Sequence, residues 1–111
     1  MSISDPNIID AVAANGDELV LLVSDHLIWV VEQVQHLKIL QKKLNTYIRF
    51  IENKEWKKIY PDKDFNFFKI EVIFKYQWDE SFEKMVALVK NHLDMRNIRI
   101  EYRKAEDETE E

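Results

Sequence analysis

Cysteine is absent from this chain of 111 residues, and it has one glycine and two prolines. Without thiols, disulfides and thiolate metal sites are excluded, so the fold must rest on packing alone. The scarcity of glycine and proline predicts long regular elements joined by few tight loops. No apolar run approaches the roughly 18 residues that span a bilayer, and the opening residues lack the regions of a signal peptide. We therefore expect a cytoplasmic protein that makes no membrane contact.

Positive charge is missing from the first third of the chain. The first 37 residues contain no lysine or arginine. They hold six carboxylates: Asp5, Asp10, Asp17, Glu18, Asp25 and Glu32. Residues 38–63 reverse this balance, with eight basic and three acidic side chains, although the net charge of the whole chain is -5. This charge argues against a general nucleic-acid binder, whose affinity comes from neutralising phosphates, and it favours a basic partner.

Length and composition indicate one folded domain. An apolar fraction of 46% and an aromatic fraction of 12% exclude global disorder, because such a chain buries enough surface to offset its conformational entropy. We place this domain at residues 1–103. Residues 104–111 are polar and mostly acidic, with nothing to bury, and are expected to form a disordered tail.

The first half of the chain predicts a hairpin followed by a long helix. Asp5-Pro6-Asn7 is a turn signal, and Asn15-Gly16 between two apolar runs predicts a type I′ hairpin turn. The run from Leu19 to Val23 is apolar at every position, which predicts a central strand buried on both faces. A helix is expected from Trp29 to Asn53, with Pro61 as the final stop. Its apolar stripe consists of Val30, Val34, Leu37, Leu40, Leu44, Tyr47 and Ile51.

The second half predicts a strand, a helix and a strand. Apolar and polar residues alternate from Phe68 to Tyr76, Asp79 is placed to cap a helix, and alternation returns from Ile98 to Tyr102. The order is therefore β-β-α-β-α-β. It predicts an α+β two-layer sandwich in which a four-stranded sheet carries two helices on one face. The pattern leaves the strand pairing open.

No arrangement of residues in the sequence indicates catalysis. His26, His36 and His92 lack the spacing of a metal-binding helix, and the single glycine excludes a phosphate-cradling loop. Ser24-Asp25-His26 contains the residue types of a hydrolytic triad, but triad members converge through the fold rather than stand in a row. The carboxylates are candidates for acid–base work by type only. We expect a protein that is not an enzyme and that holds no metal and no cofactor.

Two aromatic segments allow more than one interpretation. In residues 53–60, lysines alternate with Trp56 and Tyr60, a composition able to stack on nucleic acid. We favour the simpler interpretation, a solvated helix face whose aromatic side chains anchor its end to the sheet. The run Trp29-Val30-Val31 is more apolar than one helix face requires, which indicates a contact with a partner or within a homodimer.

Several short motifs stand out as a set in the first two thirds of the chain. They are Asp5-Pro6-Asn7-Ile8-Ile9-Asp10, Ser24-Asp25-His26-Leu27 with Trp29, His36-Leu37, Leu40-Gln41, Lys43-Leu44-Asn45, Tyr47-Ile48, Phe50-Ile51-Glu52 and Tyr60-Pro61. This set resembles an uncharacterised bacterial family classed as a domain of unknown function. The likeness spans most of residues 5–76 and implies no activity. By class rather than by motif, small acidic cysteine-free domains are similar to the immunity proteins of contact-dependent growth inhibition systems.

These observations lead to one functional hypothesis and one alternative. The hypothesis is a non-enzymatic immunity protein that masks the active site of a basic nuclease toxin. The expected partner-binding residues are Asp17, Glu18, Asp25 and Glu32, with Trp29 as the aromatic anchor. The alternative is an oligomeric regulatory or scaffolding module that uses its basic first helix, with nucleic acid as a contact.

Overall fold

The computed structural model describes residues 5–29 and 33–105. Its elements are β1 (Ala11–Asn15), β2 (Glu18–Asp25), α1 (Gln33–Glu52), a 3₁₀ turn (Glu55–Lys58), β3 (Phe67–Phe74), α2 (Glu80–Asp94) and β4 (Ile98–Lys104). The order β-β-α-β-α-β and the α+β class are those that the sequence predicts. Val30, Val31, Glu32 and residues 106–111 lie outside the described residues, so the predicted acidic tail stays a prediction, while Lys104 belongs to β4.

The four strands form one open mixed sheet in the order β1-β2-β3-β4. β1 pairs with β2 antiparallel, and β2, β3 and β4 run parallel, with Leu21 opposite Ile70 and Ile70 opposite Ile100. Each parallel connection passes through a helix, as parallel neighbours require. β2 is central, as the sequence predicts.

The hairpin between β1 and β2 differs in one detail from the prediction. Its two loop residues are Gly16 and Asp17, and Asn15 pairs with Glu18. Gly16 has φ +64°, whereas Asp17 does not lie at positive φ. A positive φ at the first loop position alone belongs to a type II′ turn rather than the predicted type I′ turn.

Both helices pack on the same face of the sheet, where the core lies. Leu21 and Val23 of β2 and Ile70 and Val72 of β3 point to this face and are fully buried. The side chains of β2 that point to the other face, such as Leu22, are half-buried instead of buried as predicted. That difference arises because, among the described residues, neither helix covers the second face.

The buried face of α1 includes two polar residues. It consists of His36, Leu40, Lys43, Leu44, Tyr47, Phe50 and Ile51. Val34, which the sequence places on the apolar stripe, is 70% exposed. Two residues before His36, it is turned by about 200° around the helix axis, at 3.6 residues per turn. The predicted start of α1 at Trp29 is also wrong, because Trp29 precedes the helix in a bend.

The ends of the helices follow their sequence signals. Lys54 adopts φ 55°, which interrupts the helical path, and the 3₁₀ turn of Glu55–Lys58 follows before Pro61. Asp79 caps α2, since its carboxylate accepts a hydrogen bond from Ser81 N at 3.0 Å. Among the described residues, no helix is long and apolar enough to cross a membrane.

Candidate functional site

The predicted carboxylate Asp25 is buried beside His36. Its Oδ2 lies 2.6 Å from His36 Nε2, and its Oδ1 accepts a hydrogen bond from Leu27 N at 3.0 Å. Burial raises the pKa of the Asp25 carboxyl, although the hydrogen bonds from His36 and Leu27 N oppose this effect. The bond with His36 holds the turn after β2 against α1, and the bond from Leu27 N lies within the turn itself. An acid and a base in contact suit proton transfer, but at 1% and 4% exposure neither residue is accessible to a substrate.

Trp29 completes this buried group. Its indole ring stacks on the His36 imidazole with ring centroids 3.8 Å apart, and its edge meets Phe74. Trp29 is 3% exposed. Asp25 and Trp29 therefore lie in the core, not on the surface where we expected them to meet a partner, because the chain after β2 folds back under α1.

A second buried polar group secures the N-terminal segment. The Lys43 ammonium donates to Asp5 O, Ile8 O and Asp10 Oδ1 at 2.7, 2.6 and 2.9 Å. These three bonds use all three of its donors. Asp10 N donates to the Tyr47 hydroxyl at 2.8 Å, and that hydroxyl in turn donates to Leu22 O. This group fastens residues 5–10 over the core and leaves no donor for a ligand.

An open cleft lies at the end of the sheet where β2, β3 and β4 begin. Its volume is about 520 Å³. Three carboxylates line it, those of Asp17, Glu18 and Asp94, and the Phe67 ring beside them is 49% exposed. The remaining lining residues are Asn15, Phe68, Asn97, Ile98 and Arg99. We call this the hairpin-end cleft.

Backbone hydrogen bonds hold the acidic side of the hairpin-end cleft in place. Asp17 O accepts hydrogen bonds from Asn66 N at 2.9 Å and from Phe67 N at 3.3 Å, which ties the hairpin turn to the start of β3. Glu18 Oε2 accepts from Arg99 Nη2 at 3.1 Å. The carboxylates outnumber the single guanidinium, so the lining is acidic. A cleft with negative charge and an exposed aromatic ring is suited to a basic group carried on an apolar surface.

The structure brings together two of the five predicted site residues. Asp17 and Glu18 line the hairpin-end cleft, whereas Asp25 and Trp29 lie in the core and Glu32 is outside the described residues. Glu18 and Asp25 stand at opposite ends of β2, seven residues and thus roughly 23 Å apart at 3.3 Å per residue. Among the residues described, the predicted carboxylates therefore do not share one surface. Whether the five residues bind a partner stays a prediction.

Sequence reasoning missed Phe67, Asp94 and Arg99. Asp94 and Arg99 are far from the hairpin in sequence and reach the cleft only through the pairing of β3 with β4. Phe67 did carry a signal. Side chains of a strand alternate between its two faces, and in β3 Phe68, Ile70 and Val72 mark the buried face. The aromatic residue at position 67 therefore belongs to the uncovered face.

The basic segment after α1 supports the simpler interpretation. Trp56 is 2% exposed, and its ring meets Phe65 with centroids 5.2 Å apart. Lys57 pairs with Asp64 at 2.8 Å. Trp56 thus anchors the end of the helix to the core and offers no ring face for stacking on nucleic acid. Among residues 5–29 and 33–105, no three His, Asp or Glu side chains are grouped to hold a metal ion.

These features define a small α+β domain with a mixed sheet that helices cover on one face and with an acidic cleft at one end of the strands. The chain belongs to a family described as "Family of unknown function (DUF6572)", whose model matches residues 1–106. The resemblance drawn from the sequence motifs is thereby confirmed. No curated protein and no solved structure matches the chain.

Proposed function

We propose that this protein acts by binding a basic protein and masking its functional surface, in the concrete form of an immunity protein that neutralises a nuclease toxin. The observation that carries this proposal is the hairpin-end cleft, where Asp17, Glu18 and Asp94 surround an exposed Phe67. A nuclease holds the phosphates of its substrate with basic side chains. The carboxylates of the cleft would take the place of those phosphates, because the same basic side chains attract them.

The carboxylates and the aromatic ring of the cleft would contribute to binding in different ways. Carboxylates at the rim accelerate encounter with a positive surface, while affinity depends on a few desolvated anchors. Phe67 is the anchor that this cleft offers. Asp17 is the acidic group best placed to meet a partner, since its exposed carboxylate accepts only a long hydrogen bond from Asn66 Nδ2 at 3.4 Å, whereas Glu18 pairs with Arg99 and Asp94 with Lys90 at 2.9 Å. Asp17 is therefore the residue whose change is most informative.

The buried polar groups support binding rather than catalysis by this chain. The Asp25–His36 contact and the Lys43 ammonium hold loops and termini in place, and each lies out of reach of a substrate. A rigid frame lowers the entropy lost on association, which favours a preformed binding surface. The charged groups left at the surface then serve recognition.

Co-expression with the product of the neighbouring gene tests the proposal. Host cells would express that product together with the wild-type chain, Asp17→Lys, or the matched charge reversal Asp62→Lys in the loop before β3. We expect wild type and Asp62→Lys to protect growth and to co-purify with a basic protein, and Asp17→Lys to protect less. The proposal fails if the wild-type chain captures no such protein, or if both charge reversals protect equally.

A further inference from the structure

β4 is an edge strand whose outer side is unpaired in the sheet order β1-β2-β3-β4. Phe68 N donates to Asn97 O at 2.9 Å, and Ala105 N donates to Phe74 O at 2.7 Å. Because alternate residues of a parallel strand bond to the same neighbour, the odd-numbered residues from 97 to 105 face β3. The backbone N–H and C=O groups that point outward are those of Ile98, Ile100, Tyr102 and Lys104.

An apolar groove runs alongside this edge. It has a volume of about 420 Å³ and lies between α2 and β4. Val86 and Leu93 line it from the helix, and Ile100 and Tyr102 line it from the strand. Unpaired backbone groups beside apolar side chains form a template for another strand, as in proteins that bind partners by strand addition.

We propose that the occupant is β4 of a second copy, paired antiparallel with Ile100 opposite Ile100 of the partner subunit. The two four-stranded sheets then join into one continuous sheet across a two-fold axis. Ile100 exchanges both backbone hydrogen bonds with its counterpart, since its N–H and C=O point outward. Each strand also covers the apolar groove of the other subunit.

Side-chain complementarity on both faces favours this register. On the uncovered face, Arg99 lies opposite Glu101 of the partner subunit, and on the helix face Ile98 lies opposite Tyr102 of the partner subunit. A shift that centres the axis on Glu101 places Glu101 against itself, and like charges directly opposite destabilise a sheet. A shift that centres the axis on Tyr102 keeps opposite charges together on the uncovered face, but it places Ile100 against Lys104 of the partner subunit on the helix face.

The other edge of the sheet lacks these features. β1 has five residues, AVAAN, and its side chains on the uncovered face are those of Ala11, Ala13 and Asn15. None of them is charged, so nothing there fixes the register of a pairing strand. β4 has seven residues, with charges of alternating sign at positions 99, 101 and 103 on one face and with Ile98, Ile100 and Tyr102 on the other.

Charge exchange tests the dimer in the absence of any other partner. Sedimentation equilibrium would compare wild type, Arg99→Glu, Glu101→Arg and an equimolar mixture of the two variants. We expect a dimer for wild type, monomers for each variant alone and a heterodimer for the mixture, in which every cross-strand pair is again opposite in sign. Arg103→Glu is the control on the same strand, because Arg103 lies opposite Asn97 of the partner subunit, and it is expected to remain a dimer.

Engineered cysteines test the register, since the chain has no cysteine of its own. Residues 99 and 101 form a non-hydrogen-bonded pair with Cα atoms about 4.5 Å apart, which a disulfide spans. An oxidised mixture of Arg99→Cys and Glu101→Cys is expected to give a covalent heterodimer faster than either variant gives a homodimer. A wild-type monomer at about 1 mM, dimers of the single charge variants, or faster homodimer cross-linking would each overturn the proposal.

Discussion

The Lys43 ammonium lies 2.9 Å from Asp10 Oδ1, and the two side chains are 0% and 7% exposed. One residue comes from the lysine-free first third of the chain and the other from the basic segment that follows. Asp25 also contacts His36 and Glu18 pairs with Arg99, although neither of these partners comes from that basic segment. Carboxylates of the first third therefore serve the interior of the protein as well as its surface. Asp17 keeps its carboxylate exposed at the hairpin turn.

Replacement of Lys43 by methionine should destabilise the fold strongly. Lys43→Met keeps the apolar stem but leaves Asp5 O, Ile8 O and Asp10 Oδ1 without their donor. Removal of one partner of a buried ion pair costs about 3–5 kcal/mol, because the other charge stays buried. Urea denaturation would measure this loss. The adjacent exposed Lys42→Met is the control, expected within about 0.5 kcal/mol of wild type, and equal losses for both would contradict the assignment.

The Tyr47 hydroxyl should make the protein sensitive to alkali. Burial and the nearby Asp10 carboxylate raise the pKa of Tyr47 above its ordinary value of 10.0. The folded state therefore holds its proton when the unfolded chain has lost it, so the stabilisation is complete below pH 10 and falls as the pH rises further. Tyr47→Phe should cost about 1–3 kcal/mol at neutral pH and should show a flatter decline in alkali. An identical alkaline slope in both proteins would contradict this account.

Asp25 should affect the stability profile in acid. Burial raises its pKa above 3.8, so its contribution to the free energy of unfolding is complete below that pH and is lost as the pH rises through the folded-state pKa. Asp25→Asn keeps an oxygen that accepts from Leu27 N and does not titrate. The free energy of unfolding of wild type minus that of Asp25→Asn should therefore fall with rising pH in urea titrations.

Asp64→Asn is the control, because its effect on the free energy of unfolding should change with pH in the opposite direction. Its hydrogen bond with Lys57 lowers the pKa of the exposed Asp64 carboxyl. The free energy of unfolding of wild type minus that of Asp64→Asn should therefore rise with pH. A carboxyl whose pKa is lowered by folding stabilises the fold at a pH above its pKa in the unfolded chain. A difference for Asp25 that also rises would show that His36, and not burial, governs its ionisation.

Phe67 should matter for binding and little for folding. About half of its surface is exposed on the uncovered sheet face. We expect Phe67→Ala to lower affinity for the captured partner by about 30-fold, the equivalent of roughly 2 kcal/mol for a hot-spot aromatic. Ile59→Ala, at a residue that is 52% exposed and does not line the cleft, is the calorimetric control. An equal loss of affinity for both variants would exclude Phe67 as the anchor.

Periodic patterns in the sequence were sufficient to predict the architecture. Alternation located β3 and β4, the change of period located α1, and Asp79 located the start of α2. These signals are local, because each depends on which side chains one element buries. The sheet order is not local, since it depends on which strands the helical connections bring together, and it came only from the structure.

The site residues were harder to predict for the same reason. A carboxylate pattern does not distinguish Asp25, whose partner His36 comes from α1, from Asp17, which stays at the surface. Lys43 did carry a signal, because it stands between Leu40 and Leu44 on the apolar stripe. A lysine at such a position must find acceptors within the core, and here they come from residues 5–10.

Hydrogen exchange of the isolated protein and of its complex with the captured basic protein would show which surface binds. We expect complex formation to slow amide exchange at residues 15–18, at Phe67 and in residues 94–99, the segments that border the hairpin-end cleft. We expect no comparable change on the lysine-bearing surface of α1. Protection confined to α1, with exchange at the cleft unchanged, would contradict binding at the hairpin-end cleft.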